Sequence, residues 1–172
     1  PIDPYSGLEE DPEVATQVLN DVVAYLKMLK APLRRFPEAP EVLAGEEIFE
    51  VIQCASCHTP TLHTGESSIP ELDHVAFHLY TDLLLHDMGP GLDDGYTEGY
   101  ASTAEWRTPP LWGLGLSRDA QGGQYFLLHD GRALSIEAAI IAHGGEAANS
   151  AAAFDALSGS DKSALIAFLE SL

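Results

Sequence analysis

Cys54-Ala55-Ser56-Cys57-His58 is the stretch from which the rest of the chain is read. Two thiols at this spacing can each add across a vinyl group of haem while the adjacent imidazole takes up the iron, which is the c-type attachment pattern. A zinc site would need a second cysteine pair, and the sequence holds only 2 cysteines. A thioredoxin-like redox pair would need a surrounding βαβ pattern, and none is present. The motif therefore predicts one covalent haem c, attached through Cys54 and Cys57, with His58 as the proximal ligand.

The 172 residues suffice for one compact domain, or a small domain with extended arms, whose centre a haem would largely supply. Asp and Glu number 27 against 8 Lys and Arg, a formal charge of −19, which disfavours nucleic acid as a partner. Such a field suits docking to a basic protein, and equally suits plain solubility. No apolar run approaches a bilayer span, and Pro1-Ile2-Asp3-Pro4 is no signal peptide. Because c-type haem is attached outside the bacterial cytoplasm, the expected location is the periplasm or beyond, and the chain reads as a processed or truncated product.

Asp11-Pro12 reads as a helix start, and Val14, Val18, Val22, Leu26 and Leu29 repeat at helical spacing until Pro32. Residues 31–40, with three prolines and Arg34-Arg35, read as an extended linker, so residues 1–38 are expected to form a helix and linker ahead of a domain over 39–172. A second helix is predicted from Pro40 into the haem motif, with Val42, Leu43, Ile48, Phe49 and Ile52 on its apolar side. Residues 59–105 read mostly as loop, with a helical turn or two at Leu83-Leu84-Leu85. Trp106-Arg107-Thr108-Pro109-Pro110 is extended because each residue before a proline is pushed out of helical geometry. Short helices are predicted at 135–143, capped by Ser135, and from Ser160-Asp161 to the end, with Leu165, Phe168, Leu169 and Leu172 buried. The fold class is mainly α, a cytochrome c-like haem domain with long haem-wrapping loops, and no internal repeat stands out.

The sixth iron position has two main candidates. His143 ends a short helix on its apolar stripe, before Gly144-Gly145, which lets backbone pass close to a large planar group. Met88, before Gly89-Pro90, resembles the axial Met of small cytochromes and is the runner-up. Two imidazoles give a low potential, Met raises it, and a vacant position would admit peroxide. Met28 fits a helix core, His63 and His74 lie in polar loop, and His78 and His86 flank an apolar segment where a hydrogen-bonded structural role is usual.

With the haem motif, Tyr80 to Leu92, Trp106 to Gly115 and Leu128 to Ala133 in order, the chain resembles the C-terminal haem domain of the di-haem oxidoreductases, also called thiol oxidoreductases. These are relatives of bacterial di-haem cytochrome c peroxidases and of MauG. In those relatives the C-terminal haem's further ligand follows a His-(Asp/Ser)-Gly segment and one short helix, a position that His143 occupies here. The resemblance also implies that Arg107 meets a haem propionate, and that calcium binds between domains, for which Asp87, Asp93 and Asp94 could serve. The relatives carry two haems on one chain, the first doing the oxidant chemistry, whereas here the first motif is missing. The expectation is therefore an electron-transfer domain, bis-His ligated, working with a redox protein or a second haem domain or subunit. The alternative is a peroxidase-like enzyme domain with a labile sixth ligand and His86 or Glu105 as acid or base.

Overall fold

The computed structural model describes residues 14–172, so the Asp11-Pro12 helix start lies outside the described residues. The backbone divides into two units between Ala31 and Pro32. In the first, helix α1 spans Thr16–Lys27, with Lys27 in the last turn, where a cation complements the helix dipole. None of its residues is buried.

The second unit is mainly α. Helix α2 spans Pro40–Val51, with Pro40 in the first turn, where its missing N–H costs nothing, and Glu41 beside it. It presents Val42, Gly45 and Phe49 inward. Helix α6 (Gly159–Ser171) lies against it and buries Leu165, Phe168 and Leu169. The approach is close because Gly45 has no side chain: a Cβ there would overlap the Ala164 carbonyl and stand 2.7 Å from Phe168 Cβ. Phe49, Tyr80 and Phe168 form an aromatic cluster with ring centroids 5.2–6.1 Å apart, which seats the core directly beneath the haem motif.

The residues expected as a linker are fastened to this unit. Arg34 makes a two-pronged ion pair with Glu46 at 2.8 and 2.9 Å and lies over the Phe168 ring, while Arg35 N–H donates to Ser171 O at 2.7 Å. Helices α3 (Leu114–Ala120), α4 (Ile136–Ile141) and α5 (Ala148–Asp155) complete the set. Ser135 caps α4 as expected, accepting from Ala138 N–H at 3.0 Å. Helix α6, expected to open near Ser160-Asp161, begins at Gly159 with Ser158 as its cap. Neither α3 nor α5 is anticipated in the sequence reading.

Two small antiparallel ladders carry the loop region. Strands β1 (Leu62–His63) and β2 (Ala76–Phe77) pair Leu62 with Phe77, and β3 (Leu85–Asp87) and β4 (Glu105–Arg107) pair His86 with Trp106. The expected helical turn at Leu83-Leu84-Leu85 is thus wrong. Leu83 has φ +62°, which no right-handed helix tolerates, and Leu85 begins a strand whose partner lies some twenty residues on.

Candidate haem site

The end of α2 delivers the haem motif. After Ile52, Gln53 turns left-handed at φ +66° and Cys54–Ser56 form one tight 3-10 turn, with His58 N–H closing back on Cys54 O at 3.0 Å. Both cysteines are unpaired and partly buried. Burial pushes the Cys54 thiol up to about 11; burial, then Asp82 and Glu146, raise that of Cys57. Both stay protonated at neutral pH, which suits neither a thiolate metal site nor a reactive redox pair.

His58 is held from behind. Tyr80 O can only accept, so His58 Nδ1–H donates to it at 3.1 Å, leaving Nε2 as the nitrogen with the lone pair. Its ring also rests against Phe49, centroids 6.4 Å apart. Burial lowers its pKa to about 4, so the imidazole is neutral and its Nε2 lone pair available at physiological pH. The carbonyl that fixes it belongs to a strained segment, with Tyr80 at φ +55°. That segment is sewn on both sides: Thr81 N–H to Thr59 O at 3.0 Å, Asp82 N–H to Cys57 O at 2.9 Å, and the fully buried Thr81 hydroxyl to Thr108 O at 2.7 Å.

The second imidazole brought to this place is that of His143. It stands just past α4, its Nδ1–H donating to Ala139 O at 2.7 Å, so that here too Nε2 makes no hydrogen bond among the described residues. Its ring centroid is 6.5 Å from that of His58, with 51° between the planes. Two imidazoles sharing one metal ion, at about 2 Å from each nitrogen and with each ring centre about 1.1 Å further back, have centroids roughly 6.3 Å apart. The residues present therefore fit a bis-imidazole iron. Met88 is nearby by backbone, since a Cβ on Gly144 would come within 2.7 Å of Met88 O, but the ring that lies next to that of His58 is that of His143.

The other residues singled out in the sequence have surroundings of their own. His86 lies between two carboxylates, with Nε2–H donating to Asp82 Oδ2 and Nδ1–H to Glu146 Oε2, each at 2.9 Å. These bonds, Glu146 first, raise its pKa, and the imidazolium in turn holds Glu146 low; Asp82 is also lowered because bonds from Leu84 N–H and His86 outweigh its burial. Cys57, Asp82 and His86 offer the single close trio of metal-ligating atoms among the described residues, within 4.8 Å of one another. Glu105 caps Ser102 N–H at 2.6 Å. Asp87, Asp93 and Asp94 accept from the backbone N–H of Gly89, Gly95 and Tyr96 and do not converge on a shared point. Arg107 is exposed on β4 opposite Leu85, and its guanidinium makes no hydrogen bond or ion pair among the described residues. His129, which the sequence reading used only as the start of its His-Asp-Gly segment, stacks flat on Trp106 with centroids 3.5 Å apart, a contact between residues too far apart in the chain to be read from it.

A family model described as "Di-haem oxidoreductase, putative peroxidase" matches residues 3–172. The chain belongs to the di-haem oxidoreductase family. Membership makes haem the cofactor that this family's chemistry implies, in accord with the geometry of Cys54, Cys57 and His58. A chain of hydrazine synthase from Kuenenia stuttgartiensis, in a structure pressurised with xenon, shares the fold at a TM-score of 0.54 and 18% identity, over 92% of this chain and 56% of that one. The di-haem oxidoreductase chain thus spans little more than half the length of that neighbour. No curated protein matches it. No helix among the described residues is long and apolar enough to cross a membrane.

Proposed function

We propose that this chain is a c-type cytochrome domain with one covalent haem, passing single electrons to or from a redox protein or a neighbouring haem. Cys54 and Cys57 would hold the haem through thioether bonds, and His58 and His143 would ligate its iron. The observation that carries the reading is the 6.5 Å spacing of the two imidazoles, each with Nδ1–H already bonded to a carbonyl. When bound, the haem would supply a one-electron iron centre, and two imidazoles would set it at a fairly low potential.

The chain's own residues fix the direction of each ligand. Tyr80 O and Phe49 hold His58, while Ala139 O and the α4 cap hold His143, so little rearrangement accompanies a change in iron charge. Arg107 is the cation for a propionate, being exposed and unengaged among the described residues. The family's name speaks of two haems, and the only 2 cysteines here suffice for one. A second haem would therefore sit on another domain or subunit and act as the electron partner. The charge of −19 favours a basic face on any diffusible partner, and covalent haem attachment places the work outside the bacterial cytoplasm.

The test is His143→Ala in the haem-loaded protein. The parent should give six-coordinate low-spin spectra, unchanged by carbon monoxide or peroxide, and the variant should turn high-spin and bind both. A variant spectrum matching the parent's would hand the sixth position to Met88 or another group. Rapid ligand binding by the parent would favour a peroxidase-like role instead.

A further inference from the structure

His86 is the imidazole that two carboxylates hold from opposite sides, and electron transfer alone gives it no task. Its two partners differ. Nε2–H donates to Asp82, whose side chain is 15% exposed, while Nδ1–H donates to Glu146, whose side chain is 56% exposed. The inner carboxylate is tied to the haem motif, for Asp82 N–H donates to Cys57 O at 2.9 Å. Cys57 Sγ lies within 4.8 Å of both an Asp82 oxygen and a His86 ring nitrogen. The haem reading commits that sulfur to a thioether, so the trio is a charged cluster where the porphyrin would be joined, and not a metal site. The outer carboxylate also accepts from Asp87 N–H at 3.0 Å, which keeps it in place while more than half of it stays in water. The remaining groups around His86 are neutral or engaged elsewhere. On β4 it stands opposite Trp106, flanked by Glu105, which caps Ser102 N–H, and by Arg107, which stands opposite Leu85. Asp87 accepts from Gly89 N–H, His58 donates to Tyr80 O and His143 to Ala139 O. Among the described residues neither Asp82 nor Glu146 has an ion-pair partner other than His86.

We propose that His86 takes up a proton when the haem iron is reduced and releases it on oxidation, so that this chain exchanges a proton along with its electron. The proposal rests on the haem reading above and holds whichever group fills the sixth position. On reduction, a redox protein gives one electron to iron(III), which becomes iron(II), and one proton from water forms the Nδ1–H bond of His86. Oxidation returns the electron to the partner and the proton to water. With the imidazolium present the clasp carries a net single negative charge, and without its proton a double one. Reduction removes one positive charge from the iron, so less opposes a proton nearby and a doubly negative clasp becomes harder to keep. Such coupling is stronger between partly buried groups than in water. Nδ1 is the exchanging nitrogen because Glu146 opens to water, while the more enclosed Asp82 keeps Nε2–H in both states. Both carboxylates hold the His86 pKa above its ordinary 6.5, so the exchange falls where an unperturbed imidazole would already be neutral.

The test is a redox titration of the haem-loaded protein, read at the Soret band, at a series of pH values on both sides of neutrality. The parent's potential should fall as pH rises through the His86 titration and level off on either side. Its slope should approach about 59 mV for each tenfold drop in proton concentration, the limit for one proton per electron. His86→Gln should flatten that slope, and His74→Gln, an exposed loop histidine, should keep it. Glu146→Gln removes the outer carboxylate but leaves the imidazole, so it should move the sloping region to lower pH, and it carries the test where His86→Gln does not load haem. A pH electrode in weakly buffered solution should record proton uptake when the parent is reduced, and less for His86→Gln. A parent potential independent of pH, or a slope that both variants leave unchanged, would overturn the proposal, the second result assigning the proton to a group such as a haem propionate. A protein without a Soret band would instead sink the haem reading itself, so the two failures are told apart.

Discussion

Gly45→Ala tests whether the contact between α2 and α6 is what sets the haem motif in place. The added Cβ would overlap the carbonyl oxygen of Ala164 and lie 2.6 Å from its carbon and 2.7 Å from Phe168 Cβ. Two of these atoms are helix backbone, so no rotamer relieves the clash, and α6 must move away by roughly the 1 Å separating these distances from ordinary contact. Overpacking of this kind costs about 1–3 kcal/mol, and a backbone obstacle puts it at the top of that range. Replacing a helix-interior glycine by alanine returns ~1 kcal/mol, leaving a net loss of about 2 kcal/mol from a total of order 5–15. Urea unfolding of the haem-loaded protein, followed by circular dichroism and by the Soret band, measures it. Gly65→Ala is the control, because a Cβ there meets nothing within 4 Å, and it should change stability by less than about 0.5 kcal/mol. Equal or greater stability for Gly45→Ala at an unchanged slope would refute the reasoning.

Two further predictions follow from the bonds that hold each side of the site. The His86 clasp should stabilise over a limited pH window: the imidazolium's contribution is complete below 6.5 and lost as pH rises through its raised folded value, and the carboxylates' contribution is complete above 3.8 for Asp82 and 4.5 for Glu146 and lost as pH falls through their depressed values. The difference in melting temperature between the parent and His86→Gln should therefore be largest between those limits and shrink on either side, and a difference that stays constant with pH would remove the clasp from the account. Ser135→Ala deletes the acceptor for Ala138 N–H at the start of α4 and should cost about 1 kcal/mol in urea unfolding; no loss would mean that the cap does not hold the helix that positions His143.

What the sequence disclosed and what it hid follow a physical division. The proximal half is contiguous: the apolar spacing of Val42, Ile48, Phe49 and Ile52 runs straight into Cys54, Cys57 and His58, so pattern and site could be read together, although Leu43, expected on the same side, is exposed. The place of His143 just past α4 was legible because a helix end on an apolar stripe has a local signature. The bond that orients His58 was not, because its acceptor is a backbone carbonyl that only the left-handed Tyr80 aims. Leu83 to Leu85 misled because a run of leucines has no period, and the strand exists only through pairing with Glu105–Arg107. Helix α3 was hidden by its glycines: Gly113 caps it at φ +76°, and Gly115 is there because a Cβ would strike Glu170 O and Arg35, so residues of poor helix propensity are here packing devices. Glu146 could not be assigned to His86 from sequence, since sixty positions separate them.

The segment from Tyr80 to Gly89 touches both sides of the site, and this bears on how the imidazole spacing is kept. At one end Tyr80 O holds His58; at the other, His86 and the Asp87 backbone N–H grip the two oxygens of Glu146, just past His143. Between these grips the backbones run almost in contact, for a Cβ on Gly145 would overlap Asp87 O and stand 2.7 Å from Gly89 N, and one on Gly144 would meet Met88 O. A displacement of this segment therefore carries both histidines in the same direction rather than apart. The 6.5 Å between the rings is then a property of one continuous piece of chain, not of two elements that must find each other. The glycines at 89, 144 and 145 matter for that reason: a side chain at any of them would separate the piece that sets the distance from the turn that it holds.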